Sequence, residues 1–213
     1  MKERWPDFTF VGIDLEFLRD IPGQPGLISM ALAYRDKDHR THSLYVINGD
    51  VDQDEVLRRP WMVDNVWSKL PLDTDGRYLD LRSSEVQAYY DIPGLVSDFL
   101  SPLTDGESYR QHIGLIADHG TQDVQRLHEL WGHDWSPGAM PPWIPKRLFQ
   151  DLATLEDVAG VSEGRMPDGE RLPEMDPVNE HVALWDAVHD LDVLEFLLAR
   201  SRAVRVACGV ELI

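Results

Sequence analysis

The chain has 213 residues, 43% of them hydrophobic and 27% charged, which suits one α/β domain (residues 1–213) with a sizeable core. Lys and Arg number 20 against 38 Asp and Glu, so the net charge is −18, a poor balance for passive nucleic-acid binding, where phosphates need cations. No apolar run approaches the roughly 20 residues of a membrane helix, Met1-Lys2-Glu3-Arg4-Trp5-Pro6 does not open a signal peptide, and the single Cys208 excludes a disulfide framework; together these predict a cytoplasmic protein.

Residues 8–17 read as a strand, rich in β-branched and aromatic residues, with Gly12 its one weak former. Residues 20–26 hold two prolines and two glycines and form a turn. Residues 27–34 form a second strand, so apolar that both its faces must be buried. A charged turn at 35–40 leads into a third strand at 41–47. Three strands on short turns make an antiparallel meander.

Helical patterns follow. Pro60 can begin a short helix whose apolar residues are Trp61, Val63, Val66, Trp67 and Leu70. Ser83-Ser84-Glu85 is a capping signal for a helix to Asp91, and Pro93 marks a break before a second helical piece through Leu100. Residues 108–117 predict a fourth strand and 122–131 a helix stopped by Gly132. Residues 133–145 are a Pro/Trp-rich loop, and 146–159 fit either a helix or a strand pair. Residues 161–177, dense in glycine, proline and charge, predict a mobile loop. The longest helix spans 181–202, and the tail, 203–213, is left to add an edge strand or an oligomer contact such as a homodimer.

The acidity has a plain explanation in solubility. The alternative is that some carboxylates hold divalent metals, whose charge offsets theirs. The first strand ends Gly12-Ile13-Asp14-Leu15-Glu16-Phe17, and residues i and i+2 of a strand share a face, so Asp14 and Glu16 project side by side. Acid-x-acid spacings recur by chance in so acidic a chain; this pair differs because it closes a buried strand. Asp123 lies in the first turn of a helix after an apolar strand, where the helix dipole alone also favours an acid. Asp186 sits among Leu184 and Ala187 of the core-facing stripe, where a carboxylate is costly unless paired or metal-bound. His181 stands just upstream, as a functional group or a surface histidine. The other histidines form no zinc pattern, and there is no Gly-rich phosphate loop and no Gly-x-Ser-x-Gly elbow.

In order, Asp14-x-Glu16, Asp123, and His181 with Asp186 resemble the DEDDh 3′–5′ exonucleases of the ribonuclease H-like superfamily, most closely the bacterial polyadenylate-specific 3′-exoribonuclease AS family. The likeness extends to Gly26-Leu27-Ile28-Ser29, to Gly120-x-x-Asp123-x-x-x-Leu127 through Leu130-Trp131-Gly132, and to His181-x-Ala183-Leu184-x-Asp186-Ala187. Residues 161–177 are longer and more polar than the family pattern, and 203–213 match none of it.

The resemblance implies a mixed five-stranded sheet with helices on both faces. It implies two Mg²⁺ or Mn²⁺ ions held by Asp14, Glu16, Asp123 and Asp186, with His181 as general base. The expected activity is a 3′–5′ exoribonuclease acting on single-stranded RNA or a 3′ overhang and releasing nucleoside 5′-monophosphates. Such hydrolysis needs an activated water and a stabilised leaving oxygen, which two metals about 4 Å apart supply. Phe17, with Leu15 beside it, is a candidate for contact with the terminal nucleotide, since aromatics stack on any base; a core role for Phe17 is equally open. Arg58, Arg59, Lys69, Arg77, Arg82 and Arg126 are candidates for phosphate contacts. The rival readings are a DNA-directed exonuclease and a catalytically silent acidic module that binds protein partners.

Overall fold

The structure is a computed structural model that describes residues 9–18, 26–103, 113–132 and 149–210. Residues 20–25 of the expected turn at 20–26, the first part of the fourth strand and the Pro/Trp-rich loop lie outside these residues. Strand β1 (Thr9–Phe17) pairs antiparallel with β2 (Leu27–Arg35), and β2 with β3 (Thr41–Asn48), as the meander requires. Every residue of β2 except Arg35 is buried, in keeping with a central strand covered on both faces.

Two short helices follow, α1 (Gln53–Leu57) and α2 (Pro60–Asn65), the second opened by Pro60 at its first position. A 3-10 turn then runs from Trp67 to Lys69. The capping signal at 83–85 does not start a helix. Val86–Gln87 is a two-residue strand, β4, running parallel to β3, because the Ile47 N–H donates to the Glu85 carbonyl and the Gly49 N–H to the Gln87 carbonyl. Satisfying the sheet edge outweighs the local helix signal. Helix α3 (Ile92–Leu100) then carries Pro93 in its first turn.

The second half supplies strand–helix units. Strand β5 (Ile113–Ala117) lies parallel to β1 and leads into α4 (Thr121–Glu129); the chain turns out of α4 at Gly132, at φ +87°. The ambiguous stretch at 146–159 holds both a strand, β6 (Phe149–Asp151), and a helix, α5 (Leu152–Ala159), capped by the Asp151 carboxylate on the Thr154 N–H. Within 161–177, backbone bridges join Ser162 to Arg165 and Arg165 to Arg171, and Met166 is buried in the core. The long helix is α6 (Ala183–Arg200), shorter than expected at both ends. The chain turns at Ser201, whose hydroxyl caps α7 (Arg202–Ala207). The described part of the tail therefore begins as helix, through Ala207, where an edge strand was one expectation, because Val204 and Cys208 are buried under α5 and α6.

The sheet is mixed and six-stranded, in the order β4-β3-β2-β1-β5-β6. The strand beyond the expected five is β4, too short and too polar to read from pattern. Val11, Ile13, Leu15, Met30, Leu32 and Leu115 face one side and pack against α3 and α4. Ala31, Ala33 and Ile116 face the other, under α5, α6 and α7. Helices thus cover both faces, as expected. A third cluster, with Trp67 at its centre, seats α1 and α2 against Ile28 and Ile47. Among the described residues no helix is long and apolar enough to cross a membrane.

Candidate active site

Alternation along β1 builds the site. Val11, Ile13 and Leu15 go into the core beneath α3 and α4, so Gly12, Asp14 and Glu16 face α6. Their cross-strand neighbours are small: Gly12 pairs with Ala33, Asp14 with Ala31 and Glu16 with Ser29. This lets α6 descend onto the sheet. A Cβ at Gly12 would stand 2.1 Å from the Ala187 carbonyl oxygen. Asp186, the residue before Ala187, is thereby brought over the end of β1. Carboxylate oxygens of Asp14, Glu16 and Asp186 lie within 4.8 Å of one another.

Burial and mutual repulsion disfavour the charged forms. The Asp14 carboxyl is pushed well up, by burial first and then by Asp186, Glu16 and Asp123. Burial and the same neighbours raise Glu16 to about 8, with Lys69 opposing the rise. Asp186 is raised by burial to about 6, again against Lys69 and the His181 and Val182 backbone N–H groups. Asp14 Oδ2 is buried with no hydrogen-bond partner. An orphaned carboxylate oxygen inside an all-oxygen acidic cluster fits a hard divalent cation such as Mg²⁺ or Mn²⁺.

Asp123, outside that group of three, approaches from the opposite layer and adds to the repulsion on Asp14 and Glu16. Strand β5 leaves β1 after the Gly12–Ile116 pair, so the Leu15 N–H on that edge has no strand partner. Asp123 Oδ1 accepts it at 3.1 Å from the first turn of α4. Asp123 is 8% exposed, and burial raises its pKa to about 6.

His181 stands at the open side. Its Nδ1 is 3.7 Å from Glu16 Oε1, and its side chain is 41% exposed against 14% for Glu16. The residue precedes α6 and has φ +58°, a left-handed conformation uncommon for a side-chain-bearing residue. The structure thus brings Asp14, Glu16, Asp123, His181 and Asp186 to one spot. Phe17 is half-buried against the core below α4, with the Arg126 guanidinium 5.0 Å from its ring centre. Leu15 is 4% exposed and points into the core on the opposite face, because side chains alternate along a strand; it reaches the site only through its backbone N–H. Of the cations, Arg58 and Arg59 pair with Glu55, Arg82 with Asp80 and Arg126 with Glu129. Arg77 lies over the Tyr78 ring. Lys69 alone of the six opposes the raised pKa values of both Glu16 and Asp186.

One buried acid escaped the sequence reading. Asp190, 5% exposed and one helical turn after Asp186, accepts the Asp118 N–H at 2.9 Å. Burial raises its pKa to about 8. It fixes the turn after β5 while Asp151 accepts the Gly120 N–H at 3.2 Å, and between them they set the start of α4 and hence Asp123. Its i+4 spacing from Asp186 on the face of the apolar stripe was the available signal.

No protein-family model matches the chain, and no curated protein sequence matches it. Solved structures do. The zinc-bound form of the E. coli exonuclease I–ssDNA complex superimposes with a TM-score of 0.56 at 12% identity, over 95% of this chain and 43% of that one. The fold is ribonuclease H-like. Exonuclease I from Methylocaldum szegediense gives 0.55 at 11% identity, over 95% and 43%. E. coli exonuclease I with a dA13 oligonucleotide gives 0.54 at 14% identity, over 93% and 42%. This chain spans less than half the length of these proteins, and at such identities the likeness establishes the fold alone.

Proposed function

We propose that the chain is a metal-dependent 3′–5′ exonuclease that hydrolyses single-stranded nucleic acid to nucleoside 5′-monophosphates. The observation that carries this reading is the meeting of Asp14, Glu16 and Asp186 within 4.8 Å, with one buried Asp14 oxygen unpartnered. A merely solvated acidic module has no reason to bury that charge. Asp14, Glu16 and Asp186 would hold the ions, with the second oxygen of Asp123 as a further ligand. Two bound ions would supply an activated water and stabilise charge on the leaving 3′ oxygen. His181, half-exposed beside Glu16, accepts the proton of the attacking water. Phe17, at the end of β1, would be the aromatic to meet a terminal base if its ring turned out from the core it packs against.

RNA is the substrate the sequence resemblance favours. DNA is the second reading, favoured by the solved structures of similar fold, which hold single-stranded DNA. A side-by-side digestion of 5′-labelled RNA and DNA strands of one sequence, with Mg²⁺ or Mn²⁺, separates the two. Shortening of RNA at least tenfold faster than DNA supports the exoribonuclease, and the reverse ratio assigns the chain to DNA. Shortening of neither defeats the enzymatic reading.

A further inference from the structure

The segment between β3 and β4 reaches across the molecule to the residues around His181. The Lys69 ammonium donates a hydrogen bond to the Glu180 carbonyl, 111 positions away in sequence. The Trp61 ring meets the His181 imidazole edge-on, with centroids 5.0 Å apart and planes at 71°. Trp61 is 55% exposed, so its burial explains little of its presence there. The segment that carries both residues is firmly seated. Val66, Trp67 and Leu70 are buried beneath β3, and the Trp67 indole donates to the Arg77 carbonyl at 2.9 Å. His181 itself has a left-handed backbone, a strained conformation that persists only where its surroundings fix it.

We infer that Lys69 and Trp61 form a latch that positions His181 for proton transfer. This rests on reading His181 as the general base. Lys69 holds the carbonyl just before His181 and so fixes the backbone from which the ring projects. Trp61 closes one side of the ring and limits its swing. Neither residue touches the reacting atoms; both are positioning residues that act through His181. Proton transfer needs the base within hydrogen-bond reach of the water, and a displacement of about 1 Å costs roughly 10²-fold. The charge of Lys69 suits the same place, because it favours the ionised forms of Glu16 and Asp186.

The test is a double-mutant cycle on the full chain with Mn²⁺ and a single-stranded oligonucleotide. Lys69→Met is expected to lower kcat by about 10- to 100-fold, with KM and Mn²⁺ affinity within about twofold of the parent. Lys69→Arg, which keeps a cationic donor, is expected to recover most of the loss. In a His181→Ala background, Lys69→Met should cost nothing more, because the residue it positions is gone. An equal loss in both backgrounds, or an unchanged kcat in Lys69→Met, overturns the latch. If the parent chain hydrolyses nothing, the enzymatic reading fails separately, and proton NMR still reads the latch. A cross-relaxation peak between the Trp61 indole and the His181 ring, assigned by its absence in His181→Ala, should fade in Lys69→Met. A peak of undiminished strength there overturns the proposal.

Discussion

Gly12 of β1 lies so close beneath Ala187 of α6 that one added carbon would stand 2.1 Å from the Ala187 carbonyl oxygen. That approach sets the distance between the sheet and the helix at the level of Asp14 and Asp186. Glycine is an ordinary strand weakness in sequence, and here it is what allows two carboxylates from different layers to come together.

Gly12→Ala should therefore act on the site as well as on stability. Overpacking of this kind costs about 1–3 kcal/mol, and here the obstacle is backbone rather than a flexible side chain. Urea denaturation should show that loss, and calorimetry should show Mn²⁺ affinity reduced at least tenfold. Unchanged metal affinity in a folded variant would separate the helix approach from the site.

Asp14→Asn removes a buried carboxyl with an unpartnered oxygen, whose charged form burial and its acidic neighbours disfavour. Without metal, the variant should be more stable than the parent at pH 8, because an amide carries neither the cost of burying the charge nor that of holding a proton well above the usual carboxylate range. With Mn²⁺, the parent should gain thermal stability and Asp14→Asn should gain almost none. Thermal scans with and without Mn²⁺ check both halves. Equal stabilisation of both proteins would move the metal elsewhere.

The proposed function gives Asp123 a task separable from its hydrogen bond to Leu15. Asp123→Asn keeps an oxygen for the Leu15 N–H and should leave stability within about 0.5 kcal/mol while lowering activity strongly. Asp123→Ala leaves that N–H unsatisfied and should lose about 1–3 kcal/mol as well. Denaturant midpoints of the two variants, set beside their rates, make the comparison. Equal stability of Ala and Asn variants would remove the structural task.

The pH dependence of the metal-free protein follows from the raised carboxyls. Glu16 rises from 4.5 to about 8, and Asp123 and Asp186 from 3.8 to about 6. Between these limits the folded state binds more protons than the unfolded state, so unfolding free energy falls as pH rises. The stabilising contribution is full below about pH 4 and is lost progressively up to about pH 8. Metal-free melting temperature should decline across that range, and saturating Mg²⁺ should flatten the decline, since metal competes with the same protons. A metal-free melting temperature that climbs from pH 5 to pH 8 would contradict the burial assigned to these groups.

Much of this was legible in the sequence, for definite reasons. Asp14 and Glu16 follow from strand alternation, and Asp186 stands out as an acid inside an apolar stripe. The meander at 8–47 was visible because apolar and β-branched runs are separated by short turns, one rich in proline and glycine and one charged. Strand β4 was not visible, since two residues carry no period, and its capping-like serines point to a helix that the sheet edge overrides. The role of Gly12 and the hydrogen bond from Leu15 to Asp123 were hidden because both depend on where α6 and α4 land, which no local pattern encodes. Trp61 read as one apolar residue of a short helix. Its contact with His181 joins segments 120 positions apart.

His181→Ala should lower kcat by about 10²–10⁴-fold while Mn²⁺ affinity stays near that of the parent, because a base need not hold the metal. Calorimetry and steady-state kinetics on the same preparation check the separation. Loss of metal as complete as in Asp14→Asn would make His181 a ligand.

The most direct measurement follows the products of one single-stranded substrate with Mn²⁺, offered with a free 3′ hydroxyl, with a blocked 3′ end and as a closed circle. The parent chain should release nucleoside 5′-monophosphates stepwise from the free 3′ end, slow strongly on the blocked strand, spare the circle and lose all release in Asp14→Asn. Cleavage of the circle at a comparable rate, or release that survives Asp14→Asn, would contradict the account.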